Sequence, residues 1–459
     1  MFHRLFLLAL LGSLLPAATY EVGPGQPLAT IGAVPWESLT AGDLVKIHWR
    51  PTPYREKWVI NRVGTAKAPI TVRGVPGPAG QLPVISGENA TTRSALNYWS
   101  DVRSLIKIGG SSVPVDGMPQ YIVIENLDLT LARPGYRFTK ANGTVTAYGE
   151  ATSAIFVEKG QHITIRNCVL HDCANGFFSA SQADSASSDI LVTGCSIYGN
   201  GIENSILQHN NYTESRGIIF EYNHFGPLRA TCKGSNLKDR SAGCVVRYNW
   251  IEEGGRQLDL VESTFPSIQG QIEYRSTFVY GNVLIERANA DNGNRQIMHY
   301  GGDNGDTAFY RKGTLYCYNN TIVSNRTDRT TLVNLSTNDE HCDARNNLIY
   351  VTAAGSTLSL LDDAGILTLT SNWLKPGFVN GFGAVSGTVT LNGNVTGAAP
   401  GFVNEAAEDF HLAVGSPAIH AGAALLPLES TAHPVSSEYI KHQRSQPRAT
   451  ALDLGALQK

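Results

Sequence analysis

The chain has 459 residues and a formal net charge of −3, with only 16% charged residues, well below the roughly 25% of an average globular protein. Gly (46 residues) and Asn are plentiful and aliphatic residues suffice for a core, which excludes a disordered chain, a coiled coil and a long helical array. The near-neutral total offers no global attraction to nucleic acid or to an acidic membrane surface, so a partner must be read from local sites.

At the N-terminus, Met1-Phe2-His3-Arg4 leads into an apolar run from Leu5 to Leu15 and then Pro16-Ala17-Ala18-Thr19. That is the layout of a secretory signal peptide, with cleavage near Ala18 or Thr19. The run is too short to cross a bilayer, which takes about 20 apolar residues, and no later run is longer. A secreted or periplasmic protein is expected, in a compartment that permits disulfides. Of the seven cysteines (168, 173, 195, 232, 244, 317 and 342), most read as small core residues, and Cys232 and Cys244 are the pair expected to bridge.

From Ile122 onward, a short β-branched or apolar run leading to Asn and another apolar residue recurs. The copies carry Asn126, Asn167, Asn223, Asn249, Asn282, Asn319-Asn320, Asn346-Asn347 and Asn372, and one copy has Gly194-Cys195 instead. Between Asn223 and Asn372 the steps are 26, 33, 38, 27 and 25 residues, a basic period near 25 with insertions in two coils. Strands repeated at such a period, with no helical periodicity, indicate a solenoid. Asn suits a parallel β-helix because its amide can donate to the amide of the next coil and because it tolerates the left-handed backbone of a tight bend. A stack of them is an Asn ladder at the roughly 4.8 Å strand spacing. Low charge follows, since every strand sends one side into a dry core. A β-sandwich would need hairpin turns every 8–12 residues or so, which the chain lacks.

The two ends fit this reading. Gln26-Pro27-Leu28 through Ala41-Gly42-Asp43-Leu44-Val45-Lys46-Ile47 resembles the opening of bacterial right-handed β-helix proteins of the pectate-lyase-like kind. There a short helix caps the open core and a Gly-Asp turn leads to the first strand. Asp409-Phe410-His411-Leu412, Gly415-Ser416-Pro417-Ala418-Ile419 and Asp453-Leu454-Gly455-Ala456 resemble their closing segment. The expected fold is all-β, a single-domain right-handed parallel β-helix. Its expected parts are a signal peptide over 1–19, an N-terminal cap and first strands over 20–66, the β-helix over 67–400 and a closing segment over 401–459.

Strands upstream of the Asn runs carry the polar residues: Gln208-His209-Asn210, Lys238-Asp239-Arg240, Asp259, His299-Tyr300 and Asn334. Alternation turns Leu237, Leu258 and Leu260 inward and Lys238, Arg240 and Asp259 outward, so Lys238, Asp259 and His299 should share three consecutive rungs of one exposed face. His209, Tyr212 and Glu214 should lie one rung earlier. Between Arg216 and Arg256 there are seven Lys/Arg against four Asp/Glu, a local excess of three positive charges that suits an anionic ligand. The bland alternative is a surface ion-pair network among Lys238, Arg240 and Asp259.

The segment from Asn236 to Glu262, with its Lys strand, Asn strand, Gly-Gly and Leu-x-Leu, resembles the catalytic coils of the β-helix polysaccharide lyases that include chondroitinase B and alginate lyases. The resemblance implies that Lys238 is the Brønsted base. The family's assisting Arg falls on Val261, leaving Arg240 or Arg256 to supply the cation, and the family's calcium-binding acidic residues have no matching positions, so Ca2+ stays an open cofactor. β-Elimination on a uronate needs a cation at the carboxylate, a base for the adjacent C–H and an acid for the leaving oxygen. Candidates for the catalytic roles are Lys238, Arg240, His209, His299, Tyr212 and Tyr300; Asp259, Asn210, Glu214, Arg256, Glu262 and Asn334 are candidates for holding substrate. The partner expected is an anionic polysaccharide cut by β-elimination, by a monomer with no nucleic-acid partner and no membrane span. A glycoside hydrolase, using Asp259 with Glu262 or Asp303, and a non-catalytic carbohydrate-binding surface protein are the competing readings.

Overall fold

The alternating apolar runs build strands whose inward side chains stack on those of the next coil. The structure is a computed structural model that describes residues 17–288, 295–450 and 452–459, so the first 16 residues of the signal peptide expected over 1–19 lie outside it. Strands take up 42% of the chain and helices 6%. Among the described residues the strands form three long sheets of 13, 11 and 13 members. The chain visits the sheets in turn. Arg216–Glu221 belongs to the first, His224–Phe225 to the second and Leu237–Asp239 to the third, and Ala242–Arg247 then returns to the first. Each of these strands pairs in parallel with its counterpart one coil on, as a parallel β-helix requires. Inward residues stack by register, as in the series Ile163, Ile190, Ile218 and Cys244, all buried. Each such aliphatic side chain contributes about 1.5–3 kcal/mol by leaving water.

The bend from the first sheet to the second divides the two jobs expected of one Asn between two adjacent residues. The first takes positive φ: Asn126 (57°), Asn167 (52°), Gly194 (63°), Tyr222 (55°), Tyr248 (54°), Gly281 (65°), Asn319 (48°) and Asn346 (54°). The next residue is the buried rung of the ladder. Asn223 Nδ2 donates to Asn249 Oδ1 at 3.0 Å, Asn249 to Asn282 at 2.9 Å, Asn282 to Asn320 at 3.0 Å, Asn320 to Asn347 at 3.0 Å, Asn347 to Asn372 at 3.0 Å and Asn372 to Asn394 at 3.1 Å. Asn126 and Asn167, read from sequence as rungs, are therefore bend residues. The rung positions after them and after Gly194 hold Leu127, Cys168 and Cys195, all in the core.

Both ends depart from expectation in detail. The Gly-Asp turn is present, with Asp43 accepting from the backbone N–H of Thr40 and of Ala18, each at 2.8 Å. In place of one capping helix there are two 3-10 turns, Ile31–Ala33 and Trp36–Ser38, because Pro35 interrupts any continuous helix; Trp36 stacks on Trp58 with ring centres 5.0 Å apart. The segment over 401–459 runs back along the flank of the stack. Tyr248 Oη donates to the Pro434 carbonyl at 3.0 Å, Tyr318 Oη to that of His433 at 2.7 Å, and the Ala456 N–H to Thr321 Oγ1 at 2.9 Å. Phe410, Leu412, Tyr439 and Leu454 cover Trp250, Val283, Val323 and Leu348 of the second sheet, whose outer face is too apolar to be left in water. The Cys232–Cys244 bridge does not form. All seven thiols are free and buried: Cys244 is an inward residue of the first sheet, in register with Ile218, whereas Cys232 lies beneath the bend at Gly201.

The ladder yields a stability prediction. Asn282 Oδ1 accepts from both the backbone N–H and the side-chain amide of Asn249, at 2.9 Å each, in a buried setting. Asn282→Ala strands the buried Asn249 N–H, leaves the Asn249 amide only the Phe220 and Arg247 carbonyls, and is expected to cost about 1–3 kcal/mol, measured by chemical denaturation. Replacing the exposed Asn392 of the last coil by Ala is expected to change stability by under about 0.5 kcal/mol.

Candidate active site

The third sheet carries the site. Its strands Asn211–Thr213, Leu237–Asp239, Leu258–Leu260, Gln296–Tyr300 and Thr330–Leu335 set Tyr212, Lys238, Asp259, His299 and Asn334 side by side on five successive rungs. Their neighbours Leu237, Leu258, Met298, Leu260 and Tyr300 alternate into the core, all 0% exposed. The alternation read from sequence thus places Lys238, Asp259 and His299 correctly and turns Asp239 inward, where it accepts from Thr213 Oγ1 and Ser241 Oγ at 2.7 Å each.

The row is not an open face, because the segment between Gln296–Tyr300 and Thr314–Tyr318 folds over it. Three side chains anchor that segment. Ser336 Oγ accepts from the Gly302 N–H at 2.8 Å; the buried Glu262 carboxylate accepts from the N–H groups of Asp303 and Asn304 at 2.8 and 2.9 Å; and the buried Arg311 donates to the carbonyls of Val261, Ser241 and Asp239 at 2.8, 2.9 and 3.2 Å. Asp303 is thereby aimed at the row. Its carboxylate bonds Lys238 Nζ at 2.5 Å through one oxygen and Arg240 Nη2 at 2.9 Å through the other.

Lys238 lies between two carboxylates, since its Nζ also donates to Asp259 Oδ2 at 2.6 Å. Asp259 further accepts from Arg256 Nη1 at 3.3 Å and pairs with His299 Nδ1 at 2.8 Å, and the other ring nitrogen of His299 meets Ser336 Oγ at 2.9 Å. Burial alone would raise the Asp259 carboxyl, but Lys238, His299 and Arg256 together hold it well below the usual carboxylate range. Arg240 Nε donates to the Tyr212 phenol oxygen at 3.0 Å and Nη1 to the Glu262 carbonyl at 2.5 Å. Asn334 Nδ2 reaches Gln296 Oε1 at 3.5 Å, and that oxygen also accepts from Arg256 at 2.9 Å.

The structure sorts the candidates read from sequence. Tyr212, Lys238, Arg240, Asp259, His299, Arg256 and Asn334 converge on one surface. Tyr300 does not join them, since its ring lies in the core. Asn210 is the middle of a buried amide chain, Asn200 to Asn210 to Asn236, at 2.9 and 3.0 Å. Glu262 is fully buried and serves the loop backbone. His209 is buried with its Nδ1 accepting from the Ser235 N–H at 2.9 Å, and burial followed by the nearby Lys238 lowers it to about 3, so it is a neutral acceptor. Glu214 sits at the rim beside Ser263, and burial raises its carboxyl to about 7. Lys238, implied as the base, has its hydrogens committed to two carboxylates, a poor arrangement for accepting another. Most of the basic excess read between Arg216 and Arg256 is neutralised by ion pairs: Asp303, Glu262 and Asp259 meet Lys238, Arg240 and Arg256, Asp172 meets Arg229 and Glu221 meets Arg247. Sequence reasoning passed over Gln296, Ser336 and Arg311. Ser336 was within reach of it, being two residues past Asn334 on the same side.

Calcium does not suit this donor set. No group of three or more His, Cys, Asp or Glu among the described residues is arranged to hold a metal ion. Asp259 and Asp303 converge, but on the Lys238 ammonium, which occupies the centre a cation would need.

No protein-family model and no curated protein matches the sequence. Several solved structures resemble this one at low identity. A pectate lyase, Pel9A, is 14% identical, with 97% of this chain and 98% of that one covered at a TM-score of 0.50. A rhamnogalacturonan lyase is 13% identical over 77% of this chain and 87% of that one, TM-score 0.49. An alginate lyase from Paenibacillus sp. str. FPU-7 is 13% identical over 73% and 94%, TM-score 0.43. At 14% identity the likeness to the pectate lyase is one of fold alone.

The raised carboxyl gives a pH prediction. The ordinary value for Glu214 is 4.5 and the folded value about 7, so across that window the folded protein keeps a proton that the unfolded chain has released. The stability this contributes is lost as pH rises through 7. Glu214→Gln is expected to be more stable than the parent by about 1–3 kcal/mol at pH 8 and equal to it at pH 4, as read by denaturation at the two pH values.

Proposed function

We propose that the protein is a secreted polysaccharide lyase that cleaves a uronate-containing polysaccharide by β-elimination. The observation that carries this reading is the convergence of two cations, Lys238 and Arg240, on one carboxylate, with the Tyr212 phenol on the same guanidinium. A uronate carboxylate held between Lys238 Nζ and Arg240 Nη2 would have its charge neutralised, which acidifies the adjacent C–H. Tyr212 is then the base in its phenolate form: its own proton leaves to solvent first, Arg240 Nε, which donates to its oxygen, stabilises the phenolate, and the phenolate takes the proton of the adjacent C–H to become the phenol. The same phenol, once protonated, faces the leaving oxygen of a syn elimination. Glu214, neutral up to about pH 7, is a second proton source at the rim. In this reading Lys238 anchors substrate instead of accepting a proton, and the buried His209 and His299 hold neighbouring groups in place.

A panel of alginate, pectate, glucuronan and glycosaminoglycans, followed by absorbance near about 235 nm, tests the reaction class, since elimination alone makes an unsaturated uronate. With the substrate so found, Tyr212→Phe is expected to lower kcat by about 10²–10⁴-fold with little change in binding. Unchanged kcat would remove Tyr212 from the chemistry.

A second reading has one observation in its favour. Asp259 and Asp303 meet on a single ammonium, which puts their carboxyl groups near the spacing of about 5–5.5 Å used by retaining glycoside hydrolases. Against it, Asp259 is buried and bonded by Arg256 and His299 as well. Release of reducing ends with no rise in absorbance would favour hydrolysis.

A further inference from the structure

We infer that Asp303 is a resident competitor for the substrate's carboxylate, occupying the Lys238–Arg240 receptor in the free protein and setting which ligands enter it. The inference rests on the uronate reading of the site and adds the residue that governs its affinity and specificity.

Charge balance comes first. The cluster holds three cations, Lys238, Arg240 and Arg256, and three carboxylates, Asp259, Glu262 and Asp303. With Asp303 in place the cluster is neutral, and with Asp303 turned away it carries one uncompensated positive charge in a partly desolvated cleft. One incoming carboxylate restores neutrality, whereas a neutral sugar does not.

Access comes second. The side chains of Asp259 and Glu262 are 3% and 0% exposed, and each holds further partners. Asp303 is 30% exposed, while Lys238 and Arg240 beneath it are 9% and 17% exposed. Of the three carboxylates, Asp303 can leave into water and uncover the cations as it goes.

Independence of the backbone comes third. The loop is held by the Gly302, Asp303 and Asn304 N–H groups, on Ser336 and Glu262, and by Arg311 further on. None of these bonds uses the Asp303 side chain, so a rotamer change at Asp303 opens the receptor while the loop stays anchored. Lys238 and Arg240 hold the Asp303 carboxyl below the ordinary carboxylate range despite its burial, so the competitor is charged at neutral pH.

The test is calorimetric titration of the full-length protein and its Asp303→Ala variant with glucuronate, and with glucose as the neutral control. Neither sugar has a glycosidic bond to cleave, so binding is read apart from lyase chemistry. Asp303→Ala is expected to bind glucuronate at least about tenfold more tightly than the parent, with no change for glucose. Adding Lys238→Met is expected to abolish the gain. Circular dichroism and melting of the Asp303→Ala variant establish that the fold is kept, as the backbone anchoring predicts. Unchanged or weaker glucuronate binding in a folded Asp303→Ala variant would overturn the inference. Tighter glucuronate binding in a protein that releases no unsaturated product from any polymer would leave the competitor in place and remove the lyase reading instead. Loss of hydrolytic activity in Asp303→Asn would make Asp303 a catalytic carboxyl and overturn both.

Discussion

From Asn223 to Asn394, each coil of this chain turns from the first sheet to the second through one residue with left-handed backbone followed by one side-chain amide of the ladder. The amide's partners are the N–H and the amide of the adjoining coil, so the bend cannot slip by a residue without stranding several buried donors. Register in the third sheet is inherited from this lock. Tyr212, Lys238, Asp259, His299 and Asn334 come from five coils scattered over some 120 residues of sequence. They form one row because the bends upstream and downstream of them are pinned.

The row is a charged strip built at a cost. Cations and carboxylates brought together in a half-buried cleft lose more hydration than a surface pair, and pairing of this kind adds little to stability compared with apolar packing of similar volume. Before Tyr212 the same row carries aromatic residues, Phe178 one rung earlier and Phe156 two, with Lys107 preceding them. The change from aromatic to ionic side chains at Tyr212 is abrupt. It coincides with the loop over 301–313, which the buried Glu262 and Arg311 anchor through backbone groups while Glu262 also pairs with Arg240 and Arg311 with Asp239.

Much of the architecture was legible in the sequence, since a repeated Asn after an apolar run has few other physical uses and since alternation within Leu237–Asp239 and Leu258–Leu260 decides which side chains face out. The bend was misread by one residue in the earlier coils: Asn126 and Asn167 satisfy the conformational half of the motif without the hydrogen-bonding half, and only neighbouring coils reveal which half is in use. The site was legible as a row and illegible as a surface. Lys238 and Arg240 looked like a free basic patch because their partners, Asp303 and Glu262, lie outside the basic stretch, and the loop bearing Asp303 has no periodicity to reveal where it folds. Tyr300 and Asn210 were drawn in by chemistry alone, although Tyr300 shares the inward parity of Leu258 and Leu260. The C-terminal segment was read by analogy as a closure; its apolar residues answer to the apolar outer face of the second sheet, visible only once that sheet exists.

On the proposed function, the space now held by the Asp303 carboxylate is the place of a substrate carboxylate. A crystal structure of the Tyr212→Phe variant soaked with an oligouronate tests this most directly. The account predicts a uronate carboxylate within hydrogen-bond distance of Lys238 Nζ and Arg240 Nη2, with the Asp303 side chain turned to solvent and the loop still bonded to Glu262. A bound oligosaccharide that leaves Asp303 on both cations, or that places its carboxylates elsewhere on the protein, would contradict it.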